Sequence, residues 1–128
     1  QKSMQLALEE AGLKPEYIDY INAHGTATVN NDLSEGRAIE TLFGKNQLFS
    51  STKGYTGHTL AAAGVIECIY SILSIKNNTV FPTLNHNTLM PELKVKPVIN
   101  IKKDITINTV LSNSFGFGGN NATIIIGK

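Results

Sequence analysis

The sequence predicts a single α/β layered domain with a mixed sheet, and three observations carry that prediction. Apolar periodicity alternates between helical and strand-like along the first two-thirds of the chain. The stretch Asn113–Asn121, NSFGFGGNN, joins two β-branched apolar runs, Thr109–Leu111 and Ala122–Ile126, as a loop joins two strands. Between them, LAAAGVIECIYSILSI is apolar nearly all round, as expected of a helix buried on most sides.

The elements follow in order. Met4, Ala7, Leu8 and Ala11 make one face of a first helix, which Gly12 closes and Pro15 prevents from continuing. Tyr17–Ala23, rich in aromatic and β-branched residues, reads as a strand that delivers His24 at its C-terminal end. A second helix is expected from about Asp32 to Phe43, stopped by Gly44. Phe49–Ser51 reads as a short strand leading into the loop Thr52–Gly57, with a third helix from about His58 to Lys76. Residues 79 to 97 hold three of the four prolines and no clean period, so they read as irregular. Val98–Ile101 reads as a further strand before the final pair.

At 128 residues the chain is one domain's worth, able to bury roughly two-thirds of its unfolded surface. A 41% hydrophobic and 16% charged composition suits a packed core. With a net charge of +1 and no basic block, neither nucleic acid nor an anionic membrane is indicated as a partner. No apolar run reads as long enough to span a bilayer. One cysteine excludes a disulfide framework, the three histidines have no zinc spacing, and a reducing, cytoplasmic setting is the default. The opening at Gln1, inside a helical pattern, is expected of a piece of a longer chain.

Several residues have chemistry to offer. His24 sits where a strand ends in an open α/β sheet, the usual place for function, although for this residue taken alone a histidine satisfied by nearby backbone is the favoured reading. Thr26 and Thr28 either turn the chain or hydrogen-bond an extended ligand. Glu35 shares a stripe with Ala38, Ile39 and Leu42, the core-facing side, where a carboxylate needs a partner. A capping box with Asp32 as N-cap accounts for it as well. Lys53 and His58 bracket TKGYTGH. In the first turn of a helix His58 would be held neutral by the dipole, suited to donate to an oxyanion, and Lys53 is a candidate partner for Glu35. A phosphate-cradling loop is the competing reading, but Gly57 is followed by His58 where a Walker loop has lysine. Cys68, among Ile66, Ile69 and Ile72, reads as a packing residue, and His86 as a loop histidine. In the loop Asn113–Asn121, glycines permit close backbone approach while Phe115 and Phe117 offer an apolar wall.

Taken in order, NAHGTAT, SSTKGYTGH and NSFGFGG resemble the C-terminal part of the β-ketoacyl-[acyl carrier protein] synthases, condensing enzymes of fatty-acid and polyketide synthesis. The resemblance covers essentially the whole of residues 1–128. It implies a thiolase-like fold, the C-terminal half of an αβαβα sandwich. By motif, His24 and His58 are implied to bind the malonyl thioester carbonyl and promote decarboxylation. Lys53 is implied to pair with Glu35, Thr26 and Thr28 to contact the phosphopantetheine arm, and Phe117 to gate the site and offer an oxyanion N–H. Phe115 and Gly118 are implied to belong to the same substrate-binding loop. A histidine at position 58 implies the elongating class. No cofactor is implied, because substrates arrive on the phosphopantetheine of acyl carrier protein. The implied partners are that carrier, the N-terminal half of the same enzyme and a second copy in a cytoplasmic homodimer.

The family's nucleophilic cysteine belongs to the first half. Cys68 cannot replace it, so the chain alone is expected to be inactive. Asn30 and Asn31 stand where Pro-x-Gly is common, and Asn120 where Thr is common, which leaves loop shape and acyl preference open. Two other readings are a non-catalytic partner of the same fold, such as a chain-length factor, and a standalone carrier-binding module.

Overall fold

The structure, a computed structural model, describes residues 1–128. Four strands form one mixed sheet in the order β2-β1-β3-β4. They are β1 (Tyr20–Asn22), β2 (Phe49–Ser50), β3 (Thr109–Phe115) and β4 (Asn121–Gly127). β1 runs parallel to β2 and β3, whereas β3 and β4 form an antiparallel hairpin. The helices are α1 (Lys2–Ala11), α2 (Val29–Phe43), the single turn α3 (Lys53–Thr56) and α4 (Ala63–Asn77). α1 ends as its sequence demands: Gly12 adopts φ 64 and its N–H reaches back to the last-turn carbonyls.

Strand alternation sorts the side chains between two cores. Ile21, Ala23 and Leu111 point into a cluster with Met4 and Leu8 of α1 and Ala38 and Ile39 of α2. Tyr20 and Val110 point the other way, into a cluster with Ile75 of α4 and with Val80, Val98 and Ile107. Helices therefore cover both faces of the sheet, and the site grows from the C-terminal ends of β1 and β2.

Six expectations need correction. β1 begins at Tyr20, because Pro15–Tyr17 forms a 3-10 turn, which the proline's fixed φ favours, before the chain extends. α2 begins at Val29, with Thr28 at its N-cap, so the capping box of Asp32 and Glu35 is not formed. Val98–Ile101 is no strand: Val98 bonds Phe49 and Thr83 through its backbone, and only Val80 and Lys102 make an isolated bridge. The terminal loop is shorter than its glycines imply, since β3 continues to Phe115 and β4 starts at Asn121.

The largest correction concerns α4. Its inward stripe is Ala63, Glu67, Ser71, Ser74 and Ile75, while Val65, Ile69, Ile72 and Leu73 are exposed. Small and polar side chains let the helix lie close on β3, and the large aliphatic ones face away. Contrary to the sequence reading, Leu60–Asn77, 18 residues with mean hydropathy 1.3, has the length and composition of a bilayer span. Its inward side nevertheless holds Glu67, at 2% exposure, in an ion pair within the protein.

Candidate active site

β1 and its continuation place Asn22 and His24 on the α4 side, and the turn after β2 brings Lys53 beneath them. Lys53 Nζ lies 3.2 Å from His24 Nδ1 and forms an ion pair with Glu67 of α4. An ammonium only donates, so Nδ1 of His24 accepts and the ring proton resides on Nε2. Lys53 is itself 9% exposed, which makes this a buried pair. Asn22 Nδ2 donates to the Glu67 carbonyl at 3.1 Å and fixes α4 against β1.

His58 follows α3 and precedes the 3-10 turn Leu60–Ala62, so it is not in the first turn of a long helix as its sequence context implied. Its Nδ1 accepts the Leu60 N–H at 3.2 Å, which leaves the proton of the neutral ring on Nε2 here too. The two imidazoles meet edge to face with centroids 5.4 Å apart. Phe115 also lies against His24, at 5.8 Å between centroids.

Glu35 is buried and does not pair with Lys53. Its carboxylate accepts the backbone N–H groups of His24 and Gly25, each at 2.9 Å, and Asn113 Nδ2 at 3.0 Å. The core-facing reading of this residue thus holds, but its partners are backbone and amide. It shapes the tight turn after β1, where Gly25 has φ 38 and a Cβ would meet Ser51 Cβ at 2.5 Å. Ala27 has φ 60, so strain is concentrated at the mouth of the site. Glu67, the partner Lys53 does use, was missed. It is the one carboxylate inside the apolar run of α4, and that isolation was the available signal.

The electrostatics follow from burial. His24 is pushed down to about 4, chiefly by burial and then by the Lys53 charge and the neighbouring His58 imidazole, so it is neutral at pH 7. Burial raises the Glu35 carboxyl against its hydrogen bonds to Gly25, Asn113, His24 and Asn31. Burial also raises the Glu67 carboxyl, with Lys53 opposing and Glu35 adding to the shift.

Thr26 and Thr28 share a hydroxyl hydrogen bond of 2.9 Å at the surface. Phe117 is fully exposed, beside Gly118 at φ 78. Cys68 is partly buried on α4 beside Gly64, Ser112 and Ser114, without a histidine or lysine around it. A neutral two-imidazole donor pair, backed by a buried cation, is equipped to stabilise negative charge on a carbonyl oxygen.

The family model of the β-ketoacyl synthase C-terminal domain matches residues 1–87. The chain belongs to the β-ketoacyl synthase family. Among curated relatives of this synthase domain, 3-oxoacyl-[acyl-carrier-protein] synthase 2 of Staphylococcus aureus is 45% identical over 99% of the chain. A β-ketoacyl synthase from Burkholderia phymatum superposes with a TM-score of 0.93 at 40% identity over 98% of the chain. A type II polyketide ketosynthase, solved with its acyl-carrier protein and bound to a hexaketide, gives a TM-score of 0.88 at 34% identity over 97%. The chain spans 31% of the length of each of these proteins. The fold is accordingly the thiolase-like one, the C-terminal half of the αβαβα sandwich with its mixed sheet.

Proposed function

We propose that this chain is the C-terminal domain of a 3-oxoacyl-[acyl carrier protein] synthase that performs decarboxylative Claisen condensation. The observation that carries the proposal is the pair of neutral imidazoles, His24 and His58, each with Nδ1 occupied by a donor and Nε2–H free to donate. Malonyl thioester would place its carbonyl oxygen between those two N–H groups. Cleavage of the carboxylate carbon–carbon bond releases CO₂ and leaves its electron pair in an enolate, whose oxygen both imidazoles stabilise. The enolate carbon then attacks an acyl thioester carbonyl and expels the thiolate that carried it. Neutral donors suit this step, because imidazolium would protonate the nascent enolate. Lys53 and Glu67 act behind His24: the ammonium fixes the ring's tautomer and the carboxylate keeps the ammonium in place.

The other assignments belong to the same proposal. Thr26 and Thr28 hydrogen-bond the amides of the phosphopantetheine arm, and Phe115, Phe117 and Gly118 form the loop that shuts over it. Substrates arrive on acyl carrier protein, and the site needs no resident cofactor. The acyl-accepting thiol comes from the N-terminal half, in a homodimeric, cytoplasmic parent, so the chain alone does not turn over. A non-catalytic chain-length-factor role has no use for a histidine held neutral by a buried ion pair.

The test uses the complete enzyme and the release of CO₂ from malonyl carrier protein. His24→Ala or His58→Ala should each slow decarboxylation about 10² to 10³-fold, the usual cost of one oxyanion donor. Near-normal CO₂ release by both variants would contradict the proposal.

A further inference from the structure

We propose that a lysine-lined groove at the far end of the sheet docks an extended, acidic segment of a partner protein. The groove, of about 660 Å³, runs between the residues that lead into β2 and the chain from Lys94 to Lys102. Four of the chain's eleven basic residues line it: Lys45, Lys94, Lys96 and Lys102. No Asp or Glu lines it, and none of the four lysines forms an ion pair, since Lys53–Glu67 is the only one in the structure. Glu40 comes near from outside, accepting the Lys94 backbone N–H at 3.4 Å. A chain with a net charge of +1 thus gathers a strong local excess of positive charge at this one place.

Charge is only half of the surface. Ile99 and Ile101 are each about half exposed along the same rim, 53% and 52%. The N–H and C=O groups of residues 99–101 make no backbone hydrogen bond, whereas Val98 and Lys102 on either side are both engaged. Unpaired main chain, flanking aliphatic side chains and alternating cations match what an added extended strand uses: main-chain bonds for affinity and alternate side chains for specificity. Such a segment would place glutamate or aspartate toward the lysines and apolar residues on the isoleucines. Nucleic acid fits less well, because the groove has neither an arginine nor an aromatic ring to stack on a base.

The position separates this surface from the chemistry. Residues 45–48 precede β2, and Leu48 bonds Ile21 at the start of the β1–β2 pairing. His24 and Lys53 lie beyond the opposite ends of those strands. An occupant of the groove is therefore not the thioester substrate. The inference is independent of the proposed condensation.

The test is fluorescence anisotropy with the complete enzyme and a labelled decapeptide in which glutamate alternates with valine. Saturable binding is expected, weakening as salt rises because exposed charges are screened. The pairs Lys94→Glu with Lys96→Glu, and Lys45→Glu with Lys102→Glu, should each weaken it by about tenfold or more while circular dichroism stays unchanged. A peptide with serine in place of valine, and one N-methylated at alternate residues, should bind several-fold more weakly. Absence of saturable binding, equal binding of the serine peptide, or tighter binding of a thymidine decanucleotide would each overturn the proposal.

Discussion

Replacing Glu67 by glutamine tests the ion pair behind His24. The carboxylate is 2% exposed and its lysine partner 8%, so the substitution leaves an ammonium inside the protein with neutral acceptors only, the His24 ring and the new amide oxygen. Removing one member of a buried pair typically costs about 3–5 kcal/mol, because the remaining charge is neither hydrated nor matched. Against a domain stability of about 5–15 kcal/mol that is a large loss. The backbone carbonyl of Glu67, which accepts from Asn22 and Ser71, is unchanged by the substitution. The effect therefore reports the side chain. Lys53→Met should cost a similar amount, and the double variant Lys53→Met/Glu67→Gln should recover most of the loss. Urea unfolding followed by circular dichroism, analysed as a double-mutant cycle, should give a coupling of about 2–4 kcal/mol. A Glu67→Gln cost below about 1 kcal/mol, or additive single variants, would refute the buried-pair argument.

Two further outcomes follow from the same geometry. His24 has a folded pKa of about 4 against an ordinary 6.5, so its contribution is fully present above pH 6.5 and is lost as pH falls from 6.5 to 4. At 1.36 kcal/mol per unit, reduced for solvent screening at the open side of the ring, wild type should lose about 2 kcal/mol relative to His24→Gln across that window, read by urea unfolding at each pH. Equal slopes for the two proteins would contradict it. Gly25→Ala adds a left-handed alanine and a Cβ 2.5 Å from Ser51 Cβ, and should cost at least about 2 kcal/mol by thermal or urea unfolding. A neutral effect would show that the turn after β1 is looser than its hydrogen bonds to Glu35 require.

How far the sequence carried the reading depends on what each residue needed to know about its neighbours. The Gly12 stop and the hairpin around NSFGFGGNN were legible because each is encoded within a few residues. So were His24 and His58, which follow an apolar strand and a glycine turn. Lys53 was legible as a candidate, and the structure sets it against His24, but its ion-pair partner was not legible. Choosing Glu67 over Glu35 requires the sheet order, which places α4 on the Lys53 side and α2 on the other. The face of α4 was misread for a related reason. Periodicity cannot say which side of an all-apolar helix approaches the sheet, and here closeness favours Ser71 and Ser74 over Ile69 and Ile72. β1 and α2 shifted at their ends, where a proline 3-10 turn and the strained residue Ala27 decide the boundary. Val98–Ile101 has the composition of a strand but only a partial neighbour to pair with.

The central claim is that His24 is a neutral donor whose proton lies on Nε2 because Lys53 occupies Nδ1. Nitrogen-15 NMR of the imidazole resonances at pH 7 tests it directly. The account predicts the neutral Nε2–H tautomer for His24, persisting on acidification until about pH 4. An Nδ1–H tautomer, or an imidazolium already present near pH 6.5, would contradict it.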